Sequence, residues 1–144
     1  MSYSVDANIL IYASDRTSAR NEAATEFLQR RAEDQEVFYL AWPVLMAYLR
    51  IATHPRIFRE PLSPNEAIEN IETLLRLPRV RLLYEEEGFL EVYCQVTGHL
   101  VVRGNLVPDA HLVALLRQHD VRRLYTTDAD FKKFASLDVR NPFA

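Results

Sequence analysis

Apolar and polar positions follow two rhythms along this chain, and the changes between them mark its elements. Residues 3–6, YSVD, read as a short apolar strand that ends on Asp6, and ANILIYASD continues with a helix-compatible pattern. From Ser18 to Ala32, apolar Ala23, Ala24, Phe27 and Leu28 recur at helical spacing among charges. VFYLAW, 37–42, is β-branched and aromatic and predicts a buried strand; Pro43 then suits the first turn of a helix to about Ala52. SPNE, 63–66, has the form of a capping box, with Ser63 as cap, Pro64 first in the helix and Glu66 reaching back. That helix should run to about Leu77. VRLLY, 80–84, predicts another strand, and residues 86–102 a helix stopped by Gly104. Pro108 and Asp109 open the next helix, to about Gln118. RRLYTTD, 122–128, reads as a strand, Asp130 to Phe134 as a helical turn, and DVRNP, 138–142, as a last short strand.

Strands separated by helical segments imply an α/β fold, with a largely parallel sheet covered on both faces. No internal repeat or linker interrupts residues 1–144, so one domain is expected. With 49% hydrophobic and 26% charged residues, the chain has the composition of a soluble globular protein. Its longest apolar runs, such as Ala41 to Leu49, fall far short of the ~20 residues that cross a bilayer, so no membrane association is expected. MSYSVDANIL has no basic leader, and Cys94 is alone, which excludes an internal disulfide framework; together they point to the cytoplasm. The net charge of −3 does not advertise nucleic-acid binding. All but Lys132 and Lys133 of the 17 basic residues are arginine, whose planar fork suits phosphate, although a genome rich in G and C would leave the same bias.

The acids narrow the chemistry. In open parallel sheets, ligands bind beyond the carboxyl ends of the strands. Asp6 and Asp128 close two predicted strands, Asp109 sits at a helix N-terminus that faces the same edge, and Asp130 follows Asp128 by two residues. Carboxylates gathered there would repel and raise one another's pKa unless a cation offset them. With no His or Cys at ligand spacing, the hard ions Mg²⁺ or Mn²⁺ suit such a cluster better than zinc, and their natural chemistry is in-line phosphodiester hydrolysis. Each acid also has an ordinary reading: Asp6 as a polar strand terminus, Asp109 as a charge favouring the positive helix end, and Asp130 as the partner of Thr127 in a capping box.

SVDANILIYA, LRIATHPRIF, GNLVPDAHLVAL and YTTDADFKKF, in this order and spacing, resemble the PIN-domain ribonucleases, and more narrowly the VapC-type toxins of toxin–antitoxin pairs. The resemblance implies a three-layer α/β/α fold with a central parallel sheet and Mg²⁺- or Mn²⁺-dependent endoribonuclease activity. It further implies an RNA substrate, a homodimer, and a cognate antitoxin that blocks the acidic groove. By the same resemblance Asp6 and Asp109 match direct metal ligands, Asp128 and Asp130 fall on the following acidic motif, and Asn8 and Thr127 match supporting positions. The chain departs from the family at Ala47, where many members carry a glutamate. A PIN-like module that binds RNA or a partner protein without cutting is therefore the alternative.

Arg50, His54 and Arg56, with Arg59, form a basic cluster that could contact RNA phosphates or simply end a helix. His111 is expected to be a structural histidine, and His99 and His119 helix caps. Trp42, Tyr48 and Phe58 are expected in the core rather than stacked on bases, and Cys94 as a small buried hydrophobe.

Overall fold

The computed structural model describes residues 1–143. Five strands form a single sheet: β1 (Ser2–Val5), β2 (Val37–Ala41), β3 (Val80–Leu83), β4 (Arg123–Tyr125) and β5 (Asp138–Arg140), in the order β3-β2-β1-β4-β5. Every pairing is parallel, as expected from strands separated by helices. Six α-helices connect them: α1 (Ala7–Ser14), α2 (Asn21–Gln29), α3 (Trp42–Ala52), α4 (Pro64–Leu75), α5 (Phe89–Thr97) and α6 (Leu106–Gln118). Short 3₁₀ turns cover Arg30–Ala32 and Ala129–Lys133.

This order decides where a ligand can sit. From β1 the chain steps twice in one direction, to β2 and β3, and then returns across the sheet to β4. Right-handed crossovers place the α1–α4 connections on one face and the α5–α6 connection on the other. The strand order therefore reverses between β1 and β4, and the crevice beyond their carboxyl ends is the natural binding position of such a sheet.

The core lies on both faces of the sheet. Tyr3, Val5, Phe38, Leu40, Leu83 and Leu124 are almost fully buried from the strands. Helix α6 buries six residues, Ala110 and Leu112–Leu116, around most of its circumference, because it is covered on several sides. Helix α3 turns Val44, Leu45, Tyr48 and Ala52 inward, which leaves Trp42 and Met46 outside. Tyr48 and Phe58 are core residues as expected, but Trp42 is not: it begins the helix instead of ending β2, and its side chain leaves the strand's inward alternation. Cys94 is likewise exposed instead of buried, because it falls on the outer face of α5, opposite half-buried Phe89, Tyr93 and Val96.

The local chemistry of the helix ends explains most boundaries. Ser63 and Glu66 form the expected capping box, with Glu66 N–H on Ser63 Oγ at 3.1 Å and Ser63 N–H on Glu66 Oε1 at 3.0 Å. Helix α5 is shorter than its apolar pattern, 86–102, because Gly88 turns with φ +83° before it and Gly98 is its C-cap. Helix α6 starts at Leu106, two residues before Pro108; the missing proline N–H costs nothing in a first turn, where those groups have no helical partner. No helix among the described residues is long and apolar enough to cross a membrane.

Candidate active site

Beyond the carboxyl ends of β1 and β4 the backbone itself brings the acids together. Val5 pairs with Tyr125, and the ladder continues one step as Asp6 N–H donates to Tyr125 O at 3.1 Å. Asp6 thus lies beside Thr126, although the two are 120 residues apart in sequence. Asp6 is the N-cap of α1, its Oδ1 accepting the Ala7 N–H at 2.7 Å. Its Oδ2 accepts from the Thr126 hydroxyl at 3.1 Å and from the Asn8 side-chain amide at 3.4 Å. Burial pushes the Asp6 carboxyl above its ordinary range; the Ala7 N–H and the Thr126 hydroxyl oppose that rise, and the Asp128 charge adds to it.

Thr126 is the hub of this arrangement. Its side chain is buried and donates to Asp6, while its oxygen accepts from Asn8 Nδ2 at 3.2 Å and from the Asp128 N–H at 3.0 Å. The supporting position matched to Thr127 is therefore occupied by its neighbour. Leu124 in β4 and Thr126, one residue past its end, are the buried positions, two apart, and Thr127 falls on the other side with its side chain outside the network. The capping box of Thr127 with Asp130 does not form either, because Asp128 caps the turn, its Oδ1 accepting the Asp130 N–H at 2.9 Å. A hydroxyl that continues the inward alternation of β4 just past its end was the signal that could have found Thr126.

Asp109, in the first turn of α6, reaches the same crevice. One oxygen each from Asp109, Asp128 and Asp130 lie within 4.8 Å of one another. Asp6 lies close enough for its charge to act on Asp109. The Asp109 carboxyl is pushed up to about 6 by burial and by the charges of Asp128, Asp6 and Asp130, with Lys133 opposing. Lys133 Nζ lies 3.3 Å from Asp130 Oδ1.

Three carboxylate oxygens at this spacing, with no nitrogen or sulfur donor among them, fit a hard divalent cation. Asn8 Oδ1, buried without a donor beside Asp6, adds one more uncompensated oxygen to this edge. A cation would offset the carboxylate repulsion that adds to the burial-driven rise at Asp109.

Residues outside this cluster have other work. His111 Nε2 meets Glu85 Oε1 at 2.5 Å and lies edge-on to Phe89, so it ties α6 to the segment before α5 as a structural histidine; its hydrogen bond holds the Glu85 carboxyl below its usual range. His119 is the C-cap of α6, its ring 2.9 Å from Tyr84 O. Arg50, His54 and Arg56 are neither ion-paired nor hydrogen-bonded to the acids; His54 Nδ1 accepts the Arg56 N–H at 3.1 Å and folds the turn after α3. Ala47 is half-buried on α3 and packs against the core. A groove of about 840 Å³ between α1, α2 and α4 is lined by none of the four acids.

The PIN domain family model matches residues 3–137. This chain belongs to the PIN-domain family. Within it the chain falls in the VapC branch: it is 42% identical to Ribonuclease VapC48 of Mycobacterium tuberculosis over 144 residues, covering 100% of this chain and 99% of that protein. Ribonuclease VapC43 of the same species is 31% identical over 138 residues, with 96% of this chain and 93% of that protein covered. Among solved structures, VapBC2 from Rickettsia felis, bound to a DNA fragment of its promoter, superposes with a TM-score of 0.70 at 16% identity, covering 98% of both chains. M. tuberculosis VapC20, a toxin that cleaves the sarcin–ricin loop, gives 0.68 at 19% identity, covering 96% of this chain and 99% of that one. The PIN fold is thus shared well beyond the range of close sequence similarity.

Proposed function

We propose that this VapC-branch protein is the endoribonuclease toxin of a toxin–antitoxin pair, and that it cuts RNA phosphodiester bonds with a divalent ion, Mg²⁺ or Mn²⁺. The convergence of Asp109, Asp128 and Asp130 at the β1–β4 crevice, within reach of the Asp6 charge, carries the reading. The ribonuclease names of relatives that match along nearly the whole chain support it. The alternative of a non-cutting module rested on Ala47, but the acidic trio forms without a ligand from α3.

Asp6 and Asp109, the direct ligands that the resemblance implies, would hold the ion together with Asp128 and Asp130, whose oxygens cluster with that of Asp109. When bound, such an ion activates water for in-line attack on phosphorus and offsets the charge that builds there. The chain's own contribution is positional. Thr126 fixes Asp6 and the backbone of Asp128 through a single hydroxyl, and Asp128 in turn fixes Asp130. Phe131 and Phe134, both buried, hold the 3₁₀ turn that presents the two acids. The carboxylates are thereby set before substrate arrives, and preorganisation of this kind is the main thing a phosphodiester site needs.

Arg50, His54 and Arg56 are assigned to RNA flanking the cut rather than to the scissile phosphate. Two of the similar solved structures are VapBC assemblies, and a cognate antitoxin is proposed as the protein partner here. A homodimer acting in the cytoplasm completes the reading. The experiment is cleavage of a mixed pool of structured RNAs by purified protein with Mg²⁺, Mn²⁺ or chelator, beside Asp109→Asn. Metal-dependent cuts that vanish in the variant are expected; cleavage that persists in chelator would overturn the metal assignment.

A further inference from the structure

A phosphodiester approaching this crevice meets four carboxylates, and one divalent ion offsets only two negative charges. A phosphate oxygen therefore needs a second positive group close to the acids. Among the described residues, Lys133 is the one cation in ion-pair contact with the cluster, through Asp130 at 3.3 Å. Its charge also opposes that of the acids around Asp109. Its position follows from local geometry: in a 3₁₀ turn, residues three apart eclipse, so Lys133 stands directly over Asp130. Phe131 and Phe134 are buried on either side of it and fix the backbone, while the Lys133 side chain remains 54% exposed and free to swing.

The residue type adds a second observation. A chain with fifteen arginines has only two lysines, both in this turn. Lysine is a compact point charge on a flexible stem; it exchanges partners more easily than a guanidinium locked in a bidentate fork. Asp130 is also one of the three acids that fit the cation, and any oxygen it commits there is lost to Lys133.

We infer that Lys133 is a phosphate-positioning residue that guards Asp130 in the free protein and transfers to a non-bridging oxygen of the RNA backbone once a divalent ion engages Asp130. The inference rests on the ribonuclease reading and names the chain's own group that receives the substrate charge. It makes metal and RNA affinity move in opposite directions when the lysine is lost. Removing the positive charge from beside the acids strengthens their hold on a cation and weakens their hold on RNA.

The test compares wild type, Lys133→Gln, Lys133→Arg and Lys132→Gln. Lys132 is the control, because it carries the same charge one residue away without contact to the acids. Three quantities are read: Mg²⁺ affinity by calorimetry, affinity for a labelled single-stranded RNA with Ca²⁺ as a hard-cation stand-in, and kcat/KM on the cleaved pool. Lys133→Gln should bind Mg²⁺ a few-fold more tightly and lose roughly ten- to a hundredfold in kcat/KM, the range of one charge-assisted hydrogen bond. The slope of log affinity for RNA against log salt should flatten by about 0.7, one phosphate contact on a single strand. Lys133→Arg should recover most of the RNA affinity and the slope, and Lys132→Gln should leave kcat/KM nearly unchanged. Equal losses in the two glutamine variants would overturn the inference, leaving only a general charge effect. Weaker Mg²⁺ binding in Lys133→Gln would also overturn it, because a purely structural ion pair predicts that sign. A wild type that neither binds nor cuts RNA with any of these ions would remove the ribonuclease reading itself, and this inference with it.

Discussion

Asp109→Asn should make the metal-free protein more stable while abolishing its activity. The Asp109 carboxyl is raised from 3.8 to about 6, first by burial and then by Asp128, Asp6 and Asp130. Two units at about 1.4 kcal/mol each set an upper bound near 3 kcal/mol on the cost of keeping this group charged in the folded state. The side chain keeps contact with water, and its charge favours the N-terminus of α6, so the realised cost is about 1–2 kcal/mol. Because the folded pKa is raised, the native state binds the proton more tightly than the unfolded chain. The stability associated with the neutral acid is complete below about pH 4 and is lost as pH rises through about 6. Asparagine keeps the shape without the charge, so its advantage should be near zero at about pH 4, open between about pH 4 and 6, and level off above. For a chain of this size the plateau corresponds to roughly 3–6 °C in Tm. Thermal unfolding followed by circular dichroism, in chelator across a pH series, reads it directly. A variant less stable than wild type at about pH 7.5, or an offset that does not change with pH, would refute the account of Asp109 as a strained carboxylate.

Thr126→Val keeps the volume and deletes the hydroxyl shared by Asp6, Asn8 and Asp128; it should cost about 1–3 kcal/mol in urea unfolding and reduce cleavage, with Thr126→Ser restoring both. Phe131→Ala removes the buried anchor of the 3₁₀ turn; it should cost roughly 3–5 kcal/mol and diminish the rise in Tm that Mg²⁺ produces in wild type. Ser63→Ala breaks the α4 capping box far from the acids; about 1 kcal/mol should be lost with kcat/KM unchanged, so a loss of activity there would show coupling that the structure does not provide.

Much of this architecture is written locally. Strand and helix periods place all five strands and six helices within a few residues, because a half-buried element must repeat its apolar positions at its own pitch. The α4 capping box is legible for the same reason: both of its bonds lie within four consecutive residues. The strand order is less so: the resemblance implied a central parallel sheet, and the order β3-β2-β1-β4-β5 is set by pairings between distant segments. Asp6, Asp109, Asp128 and Asp130 stand out in the sequence as acids at element ends. Which of them lie closest depends on the β1–β4 register and on how α6 crosses the sheet, and neither is set within any single element.

The details that matter most to the site were decided at a distance. Thr126 is preferred to Thr127 because the inward side of β4 is chosen by packing against the core, and one step along a strand reverses which side chain is buried. Cys94 and Trp42 are outside because the neighbours of α5 and α3, not their own composition, determine which face is covered. Lys133 is an ordinary surface lysine in the sequence and becomes the counter-charge of a carboxylate cluster only when β1, β4 and α6 meet. The sequence by itself determined the elements, the family and the acids, since each is encoded in short-range pattern and residue type. Only the tertiary structure decided the hub, the closest trio and the lysine beside it, because electrostatic interaction depends on distances through space that no local pattern contains.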